Sequence, residues 1–144
     1  MSGPMSDCYV LSLDRSADFA LAFLDRFVPS REPTWDAADP IDILGIPPNH
    51  SLEEILKFLE CHADRSYSMY LSNLKRRSPY YAILAYCEDG SLILGLSCDE
   101  DEQVARELLS RLEDFTGSTG YWSVEEAPPC DSKEFSARID MQRE

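Results

Sequence analysis

Residues 80–98 read YYAILAYCEDGSLILGLSC, two apolar runs flanking Asp89-Gly90, a dipeptide that favours the tight turn of a β-hairpin. A two-residue type I′ turn at Asp89 and Gly90 sets Glu88 against Ser91, Cys87 against Leu92, Ala85 against Leu94 and Ile83 against Leu96, all on one face. That face is expected to be core. The opposite face then pairs Tyr86 with Ile93, Leu84 with Gly95 and Ala82 with Ser97, small residues around one large aromatic. Two readings of it stand: a contact surface presenting Tyr86, or a second buried face with helices on both sides of the sheet.

Working upstream, Lys75-Arg-Arg-Ser-Pro79 turns the chain into the hairpin. Its three basic residues are either a binding patch or solvated turn chemistry. Residues 66–74 alternate with period two, Tyr67, Met69 and Leu71 against Ser68, Tyr70 and Ser72, so the hairpin extends into a three-strand meander with one wet face. Before it, Ser51-Leu-Glu-Glu54 has capping-box spacing, and Leu52, Ile55, Leu56 and Leu59 form the stripe of a sheet-packed helix ending near Asp64. Downstream, Asp99 and Glu102 repeat that spacing ahead of the stripe Val104, Ala105, Leu108, Leu109, Leu112 and Phe115, with Gly117 placed to end the helix. Residues 121–127 then make a last strand, with Trp122 and Val124 on one side and Tyr121, Ser123 and Glu125 on the other, stopped by Pro128-Pro129. Asp131 caps a short polar helical turn through Phe135.

The N-terminal part is a strand over residues 8–13 and a helix from Ala17, capped by Ser16 and closed by Pro29. Residues 30–49 are different: Pro33, Pro40, Pro47 and Pro48 with Asp36, Asp39 and Asp42 around Trp35. This is a long connection, in which only residues 41–46 suit a short edge strand. Trp35 either anchors a basic partner or folds back onto the core. The acidic spacing lacks the alternate-residue ligands and turn glycine of a calcium loop, so no metal is expected.

The whole is one α+β domain over residues 1–144: a mainly antiparallel five- or six-stranded sheet with about three helices packed on it, residues 1–6 and 140–144 frayed. With 144 residues, 44% hydrophobic and 10% aromatic, the chain is long enough for one core. It has no apolar run near the roughly 20 residues of a membrane span. The start, MSGPMSDCYV, lacks the basic and apolar segments of a signal peptide, so a cytoplasmic location is expected. Cys8, Cys61, Cys87, Cys98 and Cys130 are odd in number and lack a C-x-x-C pair, and they read as reduced thiols.

The net charge of −14 repels nucleic acid and anionic membranes, and it speeds encounter with a basic protein. The plainer reading is that acidity keeps the protein soluble. Its distribution is uneven, since no acidic residue lies between Arg65 and Cys87.

Catalytic signatures are absent from the sequence. His62 follows Cys61, but helix neighbours point about 100° apart and cannot act on one atom. Glu125 and Glu126 face opposite sides of a strand. Gly117 and Gly120 lack the lysine and strand-to-helix context of a phosphate loop. No cofactor is expected.

YYAILAYCEDGSLILGLS, the capped helix after it, and GYWSVEEAPP with its Glu-Glu-x-Pro-Pro ending resemble the small acidic immunity proteins encoded beside bacterial polymorphic and contact-dependent toxins. The resemblance covers about residues 67–129. It implies a non-catalytic cytoplasmic binder that occludes the active site of a basic toxin such as a nuclease or deaminase. It carries over no individual binding residue. Charge and surface pattern nominate Tyr70, Tyr86, Tyr121 and Glu125 on the second sheet face, and Trp35, Asp36 and Asp39 in the long loop, as partner contacts. The expected partner is a basic protein, with the chain itself a monomer or weak homodimer. The alternatives are a small cysteine-dependent hydrolase or transferase and a structural or adaptor subunit.

Overall fold

The computed structural model describes residues 5–34, 51–124 and 128–143. Along the chain these form β1 (Met5–Ser12), α1 (Ala17–Phe27), β2 (Arg31–Thr34), α2 (Leu52–Cys61), β3 (Tyr67–Asn73), β4 (Tyr81–Tyr86), β5 (Leu92–Asp99), α3 (Glu102–Thr116), β6 (Tyr121–Val124) and α4 (Ser132–Arg143). All six strands join one antiparallel sheet in the order β2-β3-β4-β5-β1-β6. The α+β expectation is met.

The hairpin register differs by one residue from the sequence reading. Gly90 N–H donates to the Cys87 carbonyl at 3.1 Å, Cys87 N–H donates to the Ser91 carbonyl at 3.0 Å, and Gly90 has φ +90° while Asp89 does not have positive φ. This is a three-residue loop, a type I turn closed by a left-handed glycine, and not the two-residue type I′ turn. The extra loop residue sets Ala85 opposite Ile93 and Leu84 opposite Leu94. Because side chains alternate, that single step turns β4 over. Ala82, Leu84 and Tyr86 join Leu92, Leu94 and Leu96 in the main core, whereas Ile83, Ala85 and Cys87 lie on the second face with Ile93.

The main core lies under three helices, whose buried stripes are Ala17, Ala20, Phe23 and Leu24 on α1, Ile55, Leu56 and Leu59 on α2, and Ala105, Leu108 and Leu112 on α3. Ser16 caps α1, the Ser51–Glu54 capping box starts α2, and Gly117 ends α3 in the left-handed conformation at φ +72°. The cap of α3 is Asp101, whose carboxylate accepts from the N–H groups of Gln103 and Val104. Asp99, expected in that role, is the last residue of β5.

Two other elements depart from expectation. Residues 31–34 form an edge strand paired with β3, where Pro33 is tolerated because an edge leaves one side of the ladder unused. The strand expected over 41–46 lies outside the described residues. The short turn expected after Asp131 is the full helix α4, docked on the second face through Phe135 and Ile139. Its anchor is the hairpin itself: Asp89 Oδ2 accepts from Ser132 N–H at 3.0 Å and Ser132 Oγ at 2.7 Å, while Oδ1 holds Ser91. No helix among the described residues is long and apolar enough to cross a membrane.

Candidate functional site

Strand register places a row of residues across the second face: Tyr70 on β3, Ile83 on β4, Gly95 on β5, Tyr9 on β1 and Tyr121 on β6. The absence of a side chain at Gly95 makes room for the Tyr9 ring, since a Cβ there would stand 2.8 Å from Tyr9 Cδ1. Tyr9 in turn packs on Tyr121 at a ring separation of 5.7 Å, and Tyr121 packs on Phe135 of α4 at 5.5 Å. The Tyr121 hydroxyl accepts from Arg138 at 3.1 Å. The row is therefore closed at its β6 end and open at its β3 end, where Tyr70 keeps 39% of its surface exposed.

A polar row runs beside it, Ser72, Tyr81, Ser97, Asp7 and Ser123. Ser97 Oγ donates to Asp7 Oδ1 at 2.5 Å. Burial and then the Asp7 charge push the Tyr70 phenol above its ordinary range, and burial followed by Asp7 does the same more strongly for Tyr9. Both phenols stay protonated at neutral pH. The open part of this face is the Tyr70 ring with its phenol at the tip, and the half-buried Asp7 carboxylate lies on the same face three strands away.

Of the nominated contacts, Tyr70 alone occupies an open position among the described residues. Tyr86 belongs to the main core, 1% exposed, because of the turned-over β4. Tyr121 is on the expected face but buried beneath α4. Trp35, Asp36, Asp39 and Glu125 lie outside the described residues. Sequence reasoning missed Tyr9, Asp7 and Ser97 as members of the face that carries Tyr70, because their placement there follows from β1 pairing with β5 across the chain. The one signal was Gly95, since a glycine inside a strand often marks close approach of another group.

Four of the five cysteines and the described histidine sit in structural settings, while Cys61 is exposed on α2. Cys8, Cys87 and Cys98 are buried thiols. Cys8 Sγ donates to the Ala105 carbonyl at 3.3 Å, and burial raises the Cys87 thiol. Cys130 Sγ donates to Glu134 Oε2 at 2.8 Å, a bond that pushes the thiol up to about 11. His62 stacks on Phe58 at 4.0 Å and places Nδ1 2.7 Å from the Phe58 carbonyl. Among the described residues, no group of three or more histidine, cysteine or carboxylate side chains is gathered so as to hold a metal ion.

Charge is sorted by depth. Every described aspartate and glutamate is exposed or half-buried, and the one buried charged side chain among the described residues is Arg15. Comparison with known proteins finds no matching family model, no matching curated relative and no matching solved structure.

Proposed function

We propose that this chain is a non-catalytic protein inhibitor, an immunity protein that binds a basic toxin in the bacterial cytoplasm and occludes its active site. The observation that carries this reading is that every described carboxylate is exposed or half-buried in a chain of net charge −14, which supports a long-range negative field able to steer a basic partner. The exposed Tyr70 supplies the desolvated contact that holds the complex after encounter, since aromatic residues dominate binding energy at interfaces. In this reading Trp35, Asp36, Asp39 and Glu125, outside the described residues, are the further acidic and aromatic candidates for contact. Tyr86 and Tyr121 are not part of the contact.

The test is to purify the chain with the polypeptide encoded beside it and to titrate that polypeptide's toxic activity. A stoichiometric complex with activity falling to zero at equivalence supports the reading. Failure of the two to associate, with toxicity undiminished, overturns it.

A further inference from the structure

An edge strand presents a row of backbone N–H and C=O groups that face away from the sheet and can recruit another strand. On β6, which pairs only with β1 among the described strands, Trp122 is such a residue. Its N–H donates to Gln142 Oε1 at 3.2 Å and its carbonyl accepts from Gln142 Nε2 at 2.6 Å. One side-chain amide thereby makes both hydrogen bonds that a residue of an added antiparallel strand would make. The preceding outward position, Gly120, has its N–H held by the Glu113 carboxylate at 2.8 Å. At the far edge, β2 is four residues long and carries Arg31, Glu32 and Pro33, a composition that blunts strand addition. The two edges are thus guarded differently, β2 by its own residues and β6 by a side chain that can move away.

We infer that Gln142 is a displaceable plug which keeps β6 from pairing antiparallel with β6 of a second copy of this chain. Trp122 and Val124 share the outward orientation, so a two-fold axis sets Trp122 of one copy against Val124 of the other. Four reciprocal hydrogen bonds form, and Gly120 stays with Glu113. Exposed apolar side chains lie beside that seam, with Val124 at 43% and Met141 at 73%, and open depressions of about 360 and 310 Å³ flank β6. The blunted β2 edge closes the assembly at two copies, because an isologous pairing uses up the one competent edge. Like charge on the two copies opposes the pairing, so the plug and the net charge act together to hold the monomer.

Sedimentation velocity of the wild type and Gln142→Ala tests this. The wild type is expected to sediment as a monomer. Gln142→Ala is expected to double in mass at high concentration, without larger species, and to dimerise more as salt is raised. Adding Val124→Pro removes an outward N–H and leaves the β1 ladder intact, because Val124 shares the non-hydrogen-bonded class of Trp122; the double variant returns to monomer. Gln142→Glu keeps the side-chain length and loses the donor to the Trp122 carbonyl. It gives an independent reading with an intermediate dimer fraction. Monomeric Gln142→Ala and Gln142→Glu at every salt concentration, or a dimer that survives Val124→Pro, overturns the inference.

Discussion

The Arg15 guanidinium carbon lies 4.9 Å from the centre of the Tyr86 ring, inside the main core and without a carboxylate among its bonded partners. Its five N–H donors are spent on the carbonyls of Leu59, His62, Arg65, Cys87 and Ser91. Arg15 thus ties the β1–α1 loop to the C-terminal end of α2 and to the base of the hairpin. A cation suits the helix end, where carbonyls converge, and the ring face beneath adds a cation–π contact. Arg15→Met is expected to cost about 3 kcal/mol or more, since it strands several buried carbonyls. Arg15→Lys recovers little of this, because an ammonium has three donors and no planar fork. Urea denaturation of the two variants measures the difference.

Tyr86 and Tyr70 stand on the same sheet with opposite consequences. Tyr86→Ala should destabilise the free protein by about 3 to 5 kcal/mol, as removal of a large core aromatic does. Tyr70→Ala should stay within about 0.5 to 1 kcal/mol, as for surface substitutions. Chemical denaturation of both checks the register: equal losses would contradict the placement of Tyr86 inside and Tyr70 outside.

Strand β3, the caps of α1 and α2 and the end of α3 were legible because they rest on local periodicity and short-range bonds: Tyr67, Met69 and Leu71 alternate, Ser51 and Glu54 are three apart, and Gly117 follows an apolar stripe. The turn type was not, since Asp89-Gly90 serves both the two-residue and the three-residue loop. What distinguishes them here is Asp89 holding Ser132, 43 residues away. Arg15 carries no periodic signature, because its partners are carbonyls gathered from three segments. Only the first turn of α4 is legible in the sequence because the helix brings few apolar residues, with Phe135 and Ile139 doing its packing. The site was half legible: Tyr70 follows from alternation on β3, whereas the presence of Asp7 and Tyr9 on the same face depends on β1 crossing to pair with β5.

Asp89 makes the docking of α4 sensitive to acid. Hydrogen bonds from Ser91 and Ser132 hold its carboxyl well below the ordinary 3.8. A carboxyl whose folded value is depressed contributes stability in full above the unfolded value and loses it as pH falls through the folded one. Protection of the α4 amides, measured against the intrinsic exchange rate at each pH, should therefore fall as the pH drops below 3.8. Asp89→Asn should lower it already at neutral pH and remove the acid dependence that this carboxyl supplies.

Gly95→Ala tests the Tyr9 row. The new methyl would meet Tyr9 at 2.8 Å and Ile83 Cβ at 3.1 Å, and Tyr9 is fully buried with Tyr121 behind it. Overpacking of this kind costs about 1 to 3 kcal/mol. Tyr9→Phe combined with Gly95→Ala should not relieve the loss, because the clash is with the ring and not with the hydroxyl. A thermal midpoint unchanged by Gly95→Ala would contradict the row.

The proposal that an outward negative field steers a basic partner onto the open Tyr70 end of the second face is tested most directly by stopped-flow association with the polypeptide encoded beside this chain, across a salt series. The account predicts an association rate that falls steeply as salt rises, and a Tyr70→Ala variant that associates at nearly the same rate but dissociates at least about tenfold faster. An association rate indifferent to salt, together with unchanged dissociation of Tyr70→Ala, would contradict it.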